Sequence, residues 1–343
     1  MKKLKNTVYV NNPDRYLSLD GENLVIKQDD EEIGRVPLHN IERIVTFGHT
    51  GASPALMGKC AADGIDLIFM DMHGNFLARI EGKVKGNVLL RRQQYRYADN
   101  EEKSLGIAKN IIRAKLYNSR WVLERTIRDN SMRIDIDKFR QKTAFLQESI
   151  KNSYNAVNMD SLRGIEGEAA SVYFSVFDDM ILRQKEEFFF KKRSKRPPLD
   201  NVNALLSLIY SQVTKMCTHA LECVGLDPYV GFMHTERPGK PSLALDLVEE
   251  FRAALCDRFI LKLINMNMIK NDDFIQREDG VVWLTEDGRK AFFSAWKNKL
   301  YDEIRHPFLE EKVEWGMIPY TQAMLLARYI RGDLDEYPPF TWK

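Results

Sequence analysis

The sequence has few cysteines, no long apolar run and almost no net charge. Its four cysteines show no Cys-x-x-Cys spacing, so a zinc ribbon is not expected. Every stretch of about 18 residues contains a charged side chain, which argues against a membrane-spanning helix. The basic N-terminus lacks an apolar segment of about 7–15 residues, so we expect no secretory signal. We therefore predict a cytoplasmic protein with reduced thiols at Cys60, Cys217, Cys223 and Cys256.

The net charge is +2, from 51 Lys and Arg residues against 49 Asp and Glu residues. A sum near zero is only weak evidence against a nucleic-acid partner, because binding depends on where the charges lie. Residues 79–96 contain six cations against Glu81, residues 191–196 contain five, and the loop around His234 adds two more. Basic segments are usually solvated, but three of them favour a phosphate-bearing partner.

The N-terminal part of the chain has the pattern of β structure, and the remainder has helical periodicity. Short β-branched or aromatic runs predict strands near 7–10, 16–20, 24–27, 33–38, 41–47, 65–70 and 76–80, the last two joined around His73-Gly74-Asn75. Between them we expect a helix over Pro54–Asp63 that ends at Gly64. Further helices are predicted near 101–128, 134–156, 161–180, 199–225, 241–268 and 318–331, with a hairpin around Asp279-Gly280.

These patterns predict an α+β fold with a boundary near Gly86. Residues 1–86 are expected to form a small β domain, and residues 87–343 a larger all-α domain that contains a small β-hairpin insertion. A chain of 343 residues is long enough for two or three domains.

The segment Arg163–Ala170 places Glu166 between two glycines near the start of a predicted helix. Asp160 or Ser161 is expected to cap that helix. Gly164 and Gly167 each cost roughly 1 kcal/mol relative to Ala in a helix interior. We therefore expect another backbone or a ligand to lie close to them. The alternative is an exposed glutamate that the helix dipole stabilises.

A loop that carries His234 leads into a helix with two acids on one face. Asp246 and Glu249 are three residues apart, so they lie about 60° apart around the helix axis. Asp246 sits in an apolar run and is expected to be paired, metal-bound or at the core edge, whereas Glu250 is interpreted as solvent-facing. Together with Glu166 and His234, these acids suit Mg²⁺ or Mn²⁺. The alternative is a solvated acidic face.

These segments together resemble the CRISPR-associated endonuclease and integrase family, Cas1. The family's G-x-E-G-x-x-A pattern is matched by Gly164–Ala170, with Tyr173-Phe174 shortly after it. Its loop histidine and acidic helix are matched by residues 234–252, and its basic-proline segment by Arg196–Leu206. Arg91–Tyr95, Val282–Gly288 and the Gln322 helix that leads to Pro338-Pro339-Phe340 also fit, so the resemblance covers nearly the whole chain.

The resemblance implies a homodimer formed largely through the N-terminal domains. The distribution of charged residues predicts no membrane association. Its metal ligands would be Glu166, His234 and Glu249, holding Mg²⁺ or Mn²⁺, with Asp246 orienting the site or acting as an alternative ligand. The site would activate the 3′-hydroxyl of a pre-spacer to attack a phosphodiester of a CRISPR repeat, and could also cut DNA. The implied contacts to double-stranded DNA are Arg163, Arg237, Lys240, Arg252, Lys191, Lys192, Arg193, Lys195 and Arg196.

Through the same resemblance, we expect a role in spacer acquisition, the step of antiviral defence that extends a CRISPR array. The implied partners are a Cas2 dimer and, in some systems, a Cas4 nuclease. A stand-alone structure-specific DNA-repair nuclease is one alternative, because it needs the same metal site. A non-catalytic nucleic-acid-binding scaffold is another. A metallohydrolase for small phosphate esters ranks last, because it leaves the basic segments unexplained.

Overall fold

The computed structural model describes residues 6–10, 12–48, 51–70, 76–80, 82 and 88–343. The chain divides into two units, Met1–Lys85 and Gly86–Lys343. Strands dominate the first unit and helices the second, so the predicted α+β fold class is confirmed. The predicted turn His73-Gly74-Asn75 and the boundary residue Gly86 lie outside the described residues.

The described part of the first unit contains two four-stranded sheets, one α-helix and one turn of 3-10 helix at Leu38–Asn40. Its elements are β1 (Asn6–Val10), β2 (Arg15–Asp20), β3 (Asn23–Gln28), β4 (Glu31–Pro37), β5 (Ile41–Phe47), β6 (Gly51–Ala52), α1 (Pro54–Asp63), β7 (Asp66–Met70) and β8 (Phe76–Ile80). One sheet has the order β1-β5-β7-β8, with only the β7–β8 pair antiparallel; the other has the order β4-β3-β2-β6, with only the β2–β6 pair parallel.

Helix α1 begins and ends at the predicted residues for identifiable reasons. The Ser53 hydroxyl accepts a hydrogen bond from the Leu56 N–H at 3.2 Å, and Pro54 occupies the first helical position, where no N–H is needed. Gly64 ends the helix in the left-handed region with φ of 69°. Leu56 packs into a buried aliphatic cluster that includes Leu17 and Ile44.

The second unit is mostly helical and carries two short hairpins. Its elements are α2 (Val88–Ala98), α3 (Glu101–Asn130), α4 (Ile136–Tyr154), α5 (Met159–Phe174), α6 (Asn201–Val224), α7 (Ser242–Val248), a π-helical segment (Arg252–Asp257), α8 (Arg258–Asn265), β9 (Phe274–Gln276), β10 (Val282–Leu284), α9 (Glu286–Tyr301), β11 (Glu303–Arg305), β12 (Lys312–Glu314) and α10 (Ile318–Arg331). The β11–β12 hairpin is additional to the predicted one. No described helix is long and apolar enough to cross a membrane.

The predicted helix over 241–268 is interrupted, because tertiary contacts override its local pattern. The Asn118 side-chain amide donates to the Glu250 carbonyl at 2.7 Å. The Phe251 carbonyl then accepts from both Leu255 and Cys256, which widens the turn into the π-helical segment. The predicted helix over 161–180 likewise ends at Phe174. Beyond that point, Phe177 turns inward to pack on Phe190, with ring centroids 4.9 Å apart.

Glu250 is fully buried, so its interpretation as a solvent-facing acid is wrong. Its carboxyl oxygens accept hydrogen bonds from the Tyr337 hydroxyl at 2.7 Å, the Gln322 amide at 2.8 Å and the Phe340 N–H at 2.8 Å. Burial outweighs these hydrogen bonds and raises the pKa of Glu250 to about 7. The carboxyl therefore fixes the segment 337–340 against the residues that follow α7.

Because of Glu250, the free energy of unfolding is expected to decrease as the pH rises from 4.5 to about 7. The pKa in the folded protein, about 7, exceeds the ordinary 4.5, so the folded state binds this proton more tightly than the unfolded chain. The contribution is fully present below 4.5 and lost as the pH rises through 7. Glu250→Gln should remove up to about 3 kcal/mol of that dependence. Urea unfolding at several pH values measures it; equal pH profiles for both proteins would contradict the assignment.

Candidate metal and nucleic-acid site

A cavity of about 660 Å³ in the second unit brings most of the candidate residues together. Glu166 of α5, His234, Glu249 and Arg252 all line it, so the fold brings Glu166 to residues that follow it by more than 60 positions. The basic segment 191–196 contributes Lys191, Lys192, Arg193 and Lys195. Arg163, Arg196, Arg237 and Lys240 do not line this cavity, and neither does the buried Asp246.

Helix α5 carries Glu166 at the cavity wall, and its N-cap is Asn158 rather than the predicted Asp160 or Ser161. The Asn158 side chain accepts from the Ser161 N–H at 2.9 Å, and the Ser161 hydroxyl accepts from the Asn158 N–H at 3.3 Å. Of the two expected neighbours of these glycines, another backbone is not found among the described residues, because a Cβ on Gly164 or Gly167 would meet nothing there within 4 Å. A ligand at this position stays a prediction.

Asp246 holds the loop that presents His234. Its Oδ2 atom accepts the N–H groups of Phe232 at 2.7 Å and Met233 at 3.0 Å, and Oδ1 accepts that of His234 at 2.9 Å. Gly231 is required at the start of this turn, because a Cβ there would lie 2.9 Å from Asp246 Oδ2. Of the options left open by the sequence, Asp246 is thus a paired, fully buried carboxylate.

Asp246 also fixes the proton of the His234 ring. Nδ1 of His234 lies 2.6 Å from Asp246 Oδ1. Since a carboxylate only accepts hydrogen bonds, we assign the proton to Nδ1, which leaves the Nε2 lone pair free to bind a cation. Nε2 lies 3.9 Å from Oε1 of Glu249. The imidazole therefore presents a metal-ligand atom towards a candidate carboxylate.

Gln94 of α2 holds the segment that directly precedes the His234 loop. Its amide nitrogen donates to the carbonyls of Asp227 at 2.7 Å and Val230 at 2.9 Å, and its oxygen accepts the Asp227 N–H at 2.8 Å. Three hydrogen bonds from one buried side chain hold the turn that precedes His234.

Glu249 is buried with a 4% exposed surface, yet it is held ionised by three neighbours. Burial alone would raise its pKa, but Arg252, Lys115 and His234 outweigh burial and lower the pKa to about 2. Lys115 Nζ lies 2.7 Å, and Arg252 Nε 2.9 Å, from Oε2 of Glu249. Lys115 also contacts Oε1 of Glu166. The ammonium group of Lys115, a residue of α3, therefore lies between the two candidate metal-binding carboxylates.

The basic segment 191–196 is anchored beside the cavity. Phe190 stacks on Phe174 of α5, with ring centroids 5.4 Å apart. Arg193 donates to Asn203 Oδ1 at 2.7 Å and to Ser207 Oγ at 3.1 Å, so it braces the segment against α6. Lys191, Lys192 and Lys195 remain exposed beside the cavity. Partial burial, and after it the positive charges of Arg252 and Arg193, lower the pKa of Lys195, although the residue as a whole is exposed.

The other predicted phosphate contacts are placed differently. Arg163 pairs with Asp160 at 3.1 Å and donates to the Met233 carbonyl at 2.6 Å, next to His234. Lys240 donates to the Thr235 carbonyl at 3.2 Å, and so braces its own loop. Arg237 and Arg196 have exposed side chains. The predicted basic residues thus fall into two groups. One lines the cavity (Lys191, Lys192, Arg193, Lys195 and Arg252), and the other lies outside it (Arg163, Arg196, Arg237 and Lys240).

Two features of the cavity were missed from the sequence. Lys115 lies on α3, four residues after the buried Ile111 and four before the buried Ser119. Its charge therefore falls on the buried face of the helix, and this position could have indicated a partner. Asp257 is also buried, and it accepts hydrogen bonds from the hydroxyls of Tyr210 at 2.6 Å and Tyr173 at 3.1 Å. Burial raises the pKa of Asp257 to about 6. No sequence spacing indicated this cluster.

The donor set fits a divalent cation that binds oxygen and imidazole nitrogen. Oε2 of Glu249 is buried and, among the described residues, receives no aligned hydrogen bond despite its two nearby cations. Such an oxygen is suited to coordinate a metal. Within the described part of the chain, no three acidic, His or Cys side chains are already arranged to hold a metal ion. Lys115 lies between Glu166 and Glu249 and contacts one carboxyl oxygen of each.

Comparison with known proteins identifies the chain's relatives. The family described as CRISPR associated protein Cas1 matches residues 8–298. A CRISPR-associated endonuclease Cas1 from Rhodospirillum rubrum is 48% identical and one from Chlorobaculum tepidum is 46% identical, each over the full length of both chains. A Cas4 exonuclease/Cas1 endonuclease fusion from Geobacter sulfurreducens is 33% identical over 97% of this chain and 60% of its own.

Solved structures share the fold at lower identity. A casposase bound to its integration product superposes with a TM-score of 0.83 at 23% identity, covering 99% of this chain and 95% of its own. A Cas6-RT-Cas1–Cas2 complex gives a TM-score of 0.79 at 22% identity, covering all of this chain and 36% of its own. The family match and the full-length relatives agree with the resemblance expected from the motifs. This chain belongs to the Cas1 family of CRISPR-associated proteins.

Proposed function

We propose that this protein is the nuclease and integrase of CRISPR spacer acquisition, dependent on Mg²⁺ or Mn²⁺. The carrying observation is that Glu166, His234 and Glu249 meet at one cavity whose rim bears lysines. Carboxylates beside an imidazole suit a divalent cation, and ammonium groups around them suit phosphates. The relatives named CRISPR-associated endonuclease Cas1 support the same assignment.

In this proposal, Glu166, Glu249 and Nε2 of His234 hold the metal. When bound, a divalent cation lowers the pKa of an attacking hydroxyl and neutralises charge on the phosphoryl group. Asp246 keeps the His234 proton on Nδ1 and so keeps Nε2 available as a ligand. Arg252 is held beside Glu249 and over the Tyr210 ring, 4.6 Å from its centroid, where it can orient a phosphate.

The partners follow from the family. The casposase structure contains an integration product, one solved relative is a complex with Cas2, and one curated relative is fused to Cas4. On that support we propose double-stranded DNA, a Cas2 dimer and, in some systems, a Cas4 nuclease as partners of this chain. A homodimer formed through the first unit, with the second unit catalytic, completes the proposal.

The DNA contacts are proposed to come first from Lys191, Lys192 and Lys195. Further phosphate contacts are proposed for five arginine and lysine residues. Arg252 lines the cavity, and Arg163, Arg237, Lys240 and Arg196 lie outside it. Arg193 is mainly a brace, because Asn203 and Ser207 occupy its guanidinium. Phosphate contacts of this kind position DNA without reading its sequence.

Changing Lys191, Lys192 and Lys195 together to Gln should weaken duplex binding and flatten its salt dependence. Three fewer released counterions should reduce the slope of log K against log salt by about 3. Fluorescence anisotropy across a salt series measures this slope. The matched control changes Lys290, Lys297 and Lys312, which are also exposed but do not line the cavity. An unchanged slope in the first variant would show that these lysines are only solvated.

A strand-transfer assay tests the proposed function as a whole. A short duplex with free 3′-hydroxyl ends is incubated with a repeat-bearing plasmid, the protein, its Cas2 partner and Mg²⁺ or Mn²⁺. Joined strands support an integrase. Cut strands without joining would favour the stand-alone repair nuclease, and binding without either reaction would favour the scaffold.

A further inference from the structure

The two carboxylates proposed to bind the metal are bridged by one lysine. Nζ of Lys115 contacts Oε1 of Glu166 and lies 2.7 Å from Oε2 of Glu249. The Lys115 side chain is 13% exposed and that of Glu249 5%, so water screens this contact poorly. Arg252 adds a second cation at 2.9 Å from the same Glu249 oxygen.

A lysine ammonium and a divalent cation cannot share this position. Both would contact the same carboxylate oxygens, and two cations a few ångströms apart repel each other strongly in a site that water screens poorly. Arg252 is tied to Glu249 alone and stacks over Tyr210, whereas Lys115 spans both acids. Lys115 is therefore the cation that a metal would have to displace.

We propose that Lys115 is a built-in competitor of the metal, and that metal binding requires its ammonium to leave Glu166 and Glu249. This inference rests on the proposed metal site and adds that Lys115 limits how tightly the site binds a metal. The lysine keeps two neighbouring carboxylates close together, and it lowers the affinity of the site for a divalent ion. The flexible four-carbon chain allows Nζ to swing towards the cavity, which Lys115 also lines.

Metal affinity measures the competition without any DNA reaction. In the full-length protein freed of metal, Lys115→Met should bind Mn²⁺ about tenfold or more tightly than the wild type, because no ammonium must be displaced. Electron paramagnetic resonance of free Mn²⁺ gives the dissociation constant. Lys109→Met is the matched control, since Lys109 lies on the same helix and donates instead to the Tyr154 carbonyl at 3.0 Å. Equal or weaker binding by Lys115→Met would overturn the proposal.

A second measurement uses the wild-type chain, in case the Lys115→Met variant fails to fold. Acetylation of Lys115, followed by mass spectrometry, should rise several-fold when Mn²⁺ is added, while Lys109 stays unchanged. No increase at Lys115 would overturn the displacement. If the wild type binds no Mn²⁺ at all, the metal site itself fails; if it binds Mn²⁺ but neither Lys115 readout changes, only the competition fails.

Discussion

His234→Ala is expected to abolish metal-dependent joining of a short duplex into a repeat-bearing plasmid, with a loss of about 1000-fold or more. The variant removes the proposed Nε2 ligand while leaving the Asp246 carboxylate its three backbone hydrogen bonds. The imidazole is 25% exposed, so its loss empties little of the core. Joining is read from a denaturing gel, and folding from a thermal melt.

His39→Ala is a suitable control for that experiment, because His39 is exposed in the first unit and remote in sequence from the site. Its joining activity should equal that of the wild type. Full activity in His234→Ala would refute the ligand assignment. A parallel loss of Mn²⁺ binding in His234→Ala would support it independently of DNA.

Two substitutions of Asp246 are expected to separate stability from chemistry. Asp246→Ala leaves three backbone N–H groups without their acceptor, two of them on the buried Phe232 and Met233. Each orphaned donor costs about 1–3 kcal/mol, so the free energy of unfolding should fall by on the order of 4 kcal/mol. Urea denaturation gives this value directly.

Asp246→Asn should be milder for stability and still severe for activity. Its amide oxygen can accept the Phe232 and Met233 N–H groups, but its NH₂ group would face Nδ1 of His234. The imidazole proton then moves to Nε2, which can no longer bind a cation. Activity should fall about 100-fold, and ¹⁵N NMR of the imidazole should report the tautomer. A folded Asp246→Asn variant with the proton still on Nδ1 and full activity would contradict this role.

The sequence predicted the elements whose signals are local. Ser53 directly precedes helix α1 and the left-handed Gly64 directly follows it, and the N-terminal strands are separated by turn residues. The two-residue β6 is too short to show alternation. The 241–268 helix was predicted unbroken, because the residue that diverts its backbone, Asn118, comes from a helix 132 positions earlier.

The candidate site shows the same limit. Glu166, His234 and Glu249 were found through family motifs, whereas spacing alone left each of them with a structural alternative. Lys115 and Glu250 were missed because their partners lie far along the chain: Lys115 meets Glu166 across 51 residues, and Glu250 meets Tyr337 across 87. A charged residue inside an apolar stripe is a usable signal, since burial demands a partner.

The anchoring of the basic segment 191–196 has a kinetic consequence. Because Phe190 packs on Phe174 and Arg193 is hydrogen-bonded to α6, a nucleic-acid strand bound as proposed would meet lysines whose backbone is already ordered. Little conformational entropy is then lost on contact, unlike the ordering of a disordered basic tail. Capture should therefore be fast, limited by diffusion and electrostatic steering, and its rate should respond to ionic strength more than to temperature.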